Sequence, residues 1–149
     1  MAKRKGPERS KYPKFKWSFD YFYKNNGNSS KYHKDADTWW WWLPYDAQLI
    51  YKWKYYWIEY KACTNKAKFT FSAMKDLEKE VSHLKHVEAC GGTGWVVVLF
   101  PKVTKLFTPA FVIKNFDKQL KIEECWKILP EIKDGTNRTI WDVTVLLWE

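Results

Sequence analysis

The chain has no run of about 18 apolar residues, the length a helix needs to cross a bilayer. Its longest apolar stretch, Trp95-Val96-Val97-Val98-Leu99-Phe100, is only strand-sized. A transmembrane helix is excluded, and no membrane partner is expected. Met1 to Lys16 is basic and polar and lacks the apolar core of a secretory signal. Cys63, Cys90 and Cys125 are odd in number, widely spaced and form no Cys-x-x-Cys. That pattern argues against a zinc knuckle or a disulfide framework and favours a reducing compartment, with the three as small buried residues. The expected location is cytoplasmic, in a bacterium, an archaeon or the host of a virus. The sequons at Asn28 and Asn137 then read as chance matches. No internal repeat is present. Acidic residues are in deficit, 17 Asp+Glu against 26 Lys+Arg, for a formal charge of +9.

At 149 residues the chain fits one domain with its own core. A hydrophobic share of 46% is ordinary, but an aromatic share of 19% with 11 Trp is not. Excess positive charge fits a polyanion, either nucleic acid or an anionic membrane surface. Aromatics and cations together favour nucleic acid, where bases stack and phosphates pair.

Residues 1–37 read as a basic N-terminal arm, with Lys24 to Lys31 as a loop. Within the arm, Phe15, Phe19 and Phe22 share one face of a short helix over Lys14 to Lys24. Residues 38–149 read as a single domain. Ala47 to Trp53 and Tyr56 to Ala62 alternate as two strands of a hairpin turning at Lys54-Tyr55. Phe69 to Phe71 is extended. Ser72 to Cys90 reads as a helix N-capped by Ser72, with Leu77, Val81, Leu84 and Val87 on one face and Gly91-Gly92 as the stop. Trp95 to Phe100 is a buried strand. Leu106 to Ile113 reads as a strand leading to a helix over Phe116 to Ile128, and Arg138 to Trp148 as a last strand. This order predicts an α/β domain, a mixed sheet flanked by helices.

One constellation carries specific chemistry. Pro44-Tyr45-Asp46 is followed thirteen positions later by Glu59-Tyr60-Lys61. If the hairpin turns near Lys54, Asp46 and Glu59 lie at cross-strand distance at one open end. Two carboxylates there suit Mg²⁺, which prefers oxygen ligands and retains water. A bound Mg²⁺ neutralises phosphoryl charge and lowers the pKa of an attacking water. Tyr60 points to the opposite face, and its carbonyl is a further oxygen donor. Lys61 returns to the face of Glu59 by the period-two alternation and can hold the water or the scissile phosphate. Taken alone, Glu-x-Lys on a strand is more often a solvated ion pair.

Residues 44 to about 116 resemble the core of the PD-(D/E)xK Holliday-junction resolvases, of the RecU type and more distantly the archaeal Hjc type. The motifs are the Asp strand, the Glu-x-Lys strand, a Phe-containing extended piece, a helix, Gly-Gly and an apolar strand. The resemblance implies a restriction-endonuclease-like fold. It also implies a homodimeric, Mg²⁺-dependent endonuclease, with Mn²⁺ as the substitute, that nicks four-way DNA junctions. Asp46, Glu59 and Lys61 carry over as catalytic residues. Where RecU-type proteins have a Gln and a His on the helix, this chain has Glu80 and His83. The family's upstream helical acid has two candidates here, Glu8 and Asp20, Glu8 having the better local motif. The hairpin is too tight to hold the protruding stalk of the RecU type.

Trp39-Trp40-Trp41-Trp42 reads either as a dimer interface or as a stacking platform, with Trp40 the DNA-contacting candidate. Lys66 and Lys68 are phosphate candidates beside the Glu-x-Lys strand, with His83 as a further phosphate contact and Glu80 near it. Lys3, Arg4, Lys5 and Arg9 of the arm would track the DNA backbone. His86 reads as part of a solvated helix face. Two other functions compete with a junction resolvase. One is a restriction- or repair-type nuclease of the same fold on duplex or flap DNA. The other is a nucleic-acid-binding module without catalysis.

Overall fold

The structure, a computed structural model, describes residues 14, 17–22, 24–25, 29–33, 47–125 and 127–147. Residues 17–22 are helical (α1), and Phe19 and Phe22 on it are buried, as their spacing predicts. Residues Ser29–His33 form strand β1, where turn-forming residues suggest a loop. β1 lies antiparallel to β2 (Ala47–Tyr51), Ser29 opposite Tyr51 and His33 opposite Ala47. Pairing with a well-formed neighbour outweighs low strand propensity.

β2 and β3 (Lys54–Ala62) form the hairpin, with Tyr51 opposite Lys54 and Ala47 opposite Ile58. The turn is Lys52-Trp53 rather than Lys54-Tyr55. Both residues have positive φ, 49° and 67°. Two-residue hairpin turns demand that conformation and usually signal it with Asn-Gly. Without the signal, alternation alone misplaces the turn by two residues.

The chain then passes through β4 (Lys68–Phe69), a 3₁₀ turn at Phe71–Ala73 and helix α2 (Leu77–Ala89). It returns as β5 (Thr93–Leu99), parallel to β3. α2 exists because Leu77, Val81, Leu84 and Val87 recur on one buried face. It starts at Leu77 and not after Ser72, because Ser72 belongs to the 3₁₀ turn and Asp76 sits left-handed at φ 62°. It ends as predicted: Gly91 takes φ 95°, and the Gly92 N–H donates to the Val87 carbonyl at 2.9 Å.

β6 (Thr104–Phe107) pairs antiparallel with β5, completing a five-stranded mixed sheet in the order β1-β2-β3-β5-β6. This is the expected α/β architecture, but the remaining elements differ from expectation. The strand predicted over Leu106 to Ile113 stops at Phe107. Thr108 caps helix α3 (Pro109–Lys114), its hydroxyl accepting from the Phe111 N–H with Pro109 in the first turn. The described residues of 116–128 hold no α-helix. They contain β7 (Leu120–Lys121), paired with β4, and a 3₁₀ turn at Ile122–Glu124. The last strand is short. β8 (Glu131–Lys133) and β9 (Thr139–Trp141) make a separate hairpin, and Val143–Leu147 is a 3₁₀ turn. Asp142 stops the strand: its carboxylate accepts from the Thr144 N–H and hydroxyl. Cys125 is buried as expected, but Cys63 is half-buried and Cys90 exposed. Burial holds the Cys125 thiol above its ordinary pKa, against an opposing pull from Lys105.

Two cores result, one on each face of the sheet. The first joins Phe19 and Phe22 of α1 to Leu49, Ile58, Tyr60, Trp95 and Trp141. The second joins Leu77, Val81 and Leu84 of α2 to Phe69, Phe71, Val96, Val98 and Phe107.

Candidate active site

Packing settles the alternation along β3. Tyr56, Ile58 and Tyr60 enter the first core, while Trp57 and Cys63 pack on the second. Glu59 and Lys61 alternate with these and face the α2 side. Tyr60 is buried on the opposite side, as predicted. Glu59 is only 2% exposed. A carboxylate withdrawn this far from water needs donors, a cation or a metal around it. The parallel register sets Glu59 beside Val96 and Lys61 beside Val98.

Lys61 is held from two directions. Its Nζ donates to the Lys75 carbonyl at 2.7 Å and forms an ion pair with Glu80 of α2. The crossover from β3 to β5 causes this meeting. α2 packs over β3 and β5 through Leu77, Val81 and Leu84, and Glu80 precedes Val81. Gly94 keeps that packing close, since a Cβ there would lie 2.9 Å from Leu84 Cβ and 3.1 Å from Pro109 Cγ. A cleft of about 310 Å³ opens beside Lys61, lined also by Cys63, Thr64, Asn65, Thr70 and Lys75.

The other sequence candidates divide. His83 is exposed on α2, one turn beyond Glu80, and His86 is exposed with its Nε2 4.0 Å from Cys90 Sγ. Lys66 and Lys68 are exposed and line a second cleft of about 530 Å³ with Lys105 and Lys121. Asp20 is half-buried on α1, which covers the face of the sheet opposite Glu59 and Lys61. Asp46, Glu8, Lys3, Arg4, Lys5, Arg9 and Trp39 to Trp42, Trp40 included, lie outside the described residues. The described strand pairing stops at Ala47, one residue after Asp46. Among the described residues no three His, Cys, Asp or Glu side chains come together as a metal site. They supply Glu59, and a Glu80 already engaged with Lys61, so a complete donor set for Mg²⁺ requires a further carboxylate.

Sequence reasoning missed Lys75, whose contribution is a backbone carbonyl and leaves no side-chain signal. It also missed Lys105, whose signal was a lysine inside the apolar run of β6.

No protein-family model matches this chain, and no curated protein matches it. Among solved structures, the chain is similar to Hjc of Archaeoglobus fulgidus, a Holliday junction resolvase from an archaeal hyperthermophile. The TM-score is 0.41 at 16% identity, over 66% of this chain and 77% of that one. No helix among the described residues is long and apolar enough to cross a membrane.

Proposed function

We propose that this chain is a metal-dependent DNA endonuclease of the PD-(D/E)xK type, acting as a homodimer on branched DNA, with four-way junctions as the preferred substrate. One observation carries the reading: Glu59, buried, and Lys61, fixed by Glu80 and the Lys75 carbonyl, share one face of β3 beside an open cleft. The order of hairpin, crossover helix and parallel strand supports it, because the sequence resemblance implies that order.

In this reading Asp46 joins Glu59 and the Tyr60 carbonyl as the ligands of Mg²⁺, or of Mn²⁺ in its place. The metal, when bound, supplies charge neutralisation and an activated water. Lys61 orients that water or the scissile phosphate. Its double anchorage reduces the side-chain freedom lost when the substrate arrives. Lys66, Lys68 and the arm's Lys3, Arg4, Lys5 and Arg9 track the strand by phosphate contacts.

The test is cleavage of an immobile four-way junction, with duplex and flap DNA alongside, in Mg²⁺ and in EDTA. Paired nicks in the junction alone are expected. They should vanish in EDTA and fall by about a hundredfold to a thousandfold in Glu59→Gln. Equal cutting of all three substrates would point instead to a restriction- or repair-type nuclease. The binding-module reading has one observation in its favour: Lys61 already has a carboxylate partner, as a purely structural lysine would. Salt-sensitive junction binding without cleavage under any divalent metal would establish that reading.

A further inference from the structure

Lys105 is 5% exposed, and its Nζ donates to the Cys125 carbonyl at 2.5 Å. No carboxylate pairs with it among the described residues. An ammonium has three N–H donors, and burying one without a counter-charge costs several kcal/mol in real proteins. Lys105 also lines the larger basic cleft, together with Lys66, Lys68 and Lys121. Among the described residues the single carboxylate on that lining is Glu123, which is exposed, while the carboxylate paired with Lys121, that of Glu124, is exposed at 3.8 Å. Four ammonium groups against one described lining carboxylate repel one another, and at 5% exposure Lys105 is little screened by solvent.

The sheet register places this cluster. Lys61 pairs with Val98 across β3 and β5, and Val98 pairs with Lys105 across β5 and β6. The three side chains form one row on the α2 face. Two strand spacings separate the lysine backbones, about 10 Å. That lies within about three steps of one duplex strand, at about 3.4 Å axial rise each. The connecting loop contributes Thr64 and Asn65 to the cleft of Lys61 and Lys66 and Ala67 to the cleft of Lys105.

We infer that the Lys66–Lys68–Lys105–Lys121 cleft is a binding site for a phosphate group. An anion with several acceptor oxygens would meet the remaining donors of Lys105 and reduce the repulsion among the four cations. The phosphate chemistry stands on the cleft alone. That the phosphate belongs to a nucleic-acid strand, a few nucleotides from the one at Lys61, rests on the nuclease reading.

The experiment has two arms, both in EDTA so that cleavage plays no part. In the first, thermal unfolding of the full chain is followed as inorganic phosphate replaces chloride at constant ionic strength. Wild type should show a saturable rise in Tm. Lys105→Met should lose that rise while its Tm without phosphate stays equal or goes up, because an uncompensated buried charge has been removed. In the second, binding of a short oligonucleotide is measured across a salt series. Lys105→Met and the exposed double variant Lys66→Ser/Lys68→Ser should each weaken binding at least about tenfold and lower the salt slope, by about one for each phosphate that a lysine no longer neutralises. Lys24→Met, an exposed lysine of the N-terminal helical residues, makes the same charge change away from the cleft and should have little effect.

A phosphate-dependent Tm with unchanged oligonucleotide binding would assign the site to free phosphate and detach it from the nuclease reading. No phosphate effect on Tm, together with equal losses for Lys105→Met and Lys24→Met, would overturn the proposal and leave only diffuse attraction. Neither arm depends on catalysis, so a chain that never cuts DNA still tests the cleft.

Discussion

The two faces of the sheet bury the same kinds of apolar side chain but different kinds of polar one. Among the described residues, the buried polar ones on the α1 face are Ser18 and Thr104, both neutral; on the α2 face they are Glu59 and Lys105, both charged. The Ser18 hydroxyl is accounted for locally, and the Thr104 backbone is paired nearby. Ser18 Oγ donates to the Lys14 carbonyl at 2.7 Å and accepts the Trp141 N–H at 2.9 Å, while the Thr104 carbonyl receives the Leu129 N–H. A buried charge that serves stability alone could be replaced by an apolar residue at no loss. The face under α2 keeps its charges, and there the sheet opens into clefts. One face is built for cohesion, and the other gives up cohesion to hold charge in fixed positions.

The largest expected effect tests the cohesive face. Trp141→Ala removes a ring that is 2% exposed and should cost about 3–5 kcal/mol in urea unfolding. Junction cleavage should persist wherever the variant is folded. A loss below about 1 kcal/mol would show that the first core is not what holds the sheet.

Next comes the charged face. Glu80→Gln removes the ion pair with Lys61 and should cost about 1–2 kcal/mol. The double variant Lys61→Met/Glu80→Leu should recover that stability and have no cleavage activity. If the double variant is as unstable as the single one, the pair is structural and the contrast between the faces fails.

The tip of the β2–β3 hairpin belongs to neither face. Lys52→Asn with Trp53→Gly installs the residues that positive φ favours and should raise stability by about 1–2 kcal/mol. Trp53 is 96% exposed, so removing its ring gives up almost no packing. An unchanged urea midpoint would mean that the turn carries no strain.

The smallest effect is set by pH. In the β8–β9 loop the Asp134 carboxylate accepts from the Thr136 hydroxyl and N–H and from the Arg138 N–H and Nε. Those bonds, led by the Thr136 hydroxyl, hold its pKa down to about 2. The sign follows from a folded pKa lying below the ordinary value of about 3.9. The contribution is complete above that ordinary value and is lost as pH falls through about 2. The unfolding curves of wild type and Asp134→Asn should therefore differ at pH 5 and converge toward pH 2.

Much of this contrast can be read from the sequence where periodicity is strong. Leu77, Val81, Leu84 and Val87 announce α2, and the alternation of Tyr56 to Lys61 places Glu59 and Lys61 together. It fails where a single side-chain hydrogen bond decides the outcome. Thr108 capping α3 and Asp142 stopping β9 each override a run that alternates like a strand. Lys52-Trp53 fails for the opposite reason: tertiary pairing imposes a conformation that neither residue prefers. The engagement of Lys61 with Glu80 is legible as proximity only, because ion pairs between a strand and the helix crossing it depend on crossover geometry that no local pattern encodes.

The bond from the Trp141 N–H to Ser18 Oγ closes a loop of 123 residues. During synthesis, β3 is complete 79 residues before Trp141 is added. At about 5–20 residues per second that is a wait of about 4–16 s. Over that interval Phe19, Ile58 and Tyr60 have no Trp141 to pack against, and once Cys125 has completed the second core the nascent chain has one finished face and one sticky one. The cohesive face is the last to be covered, and chaperone demand in a cell should track the time to residue 141 rather than the time to the Glu59–Lys61 strand.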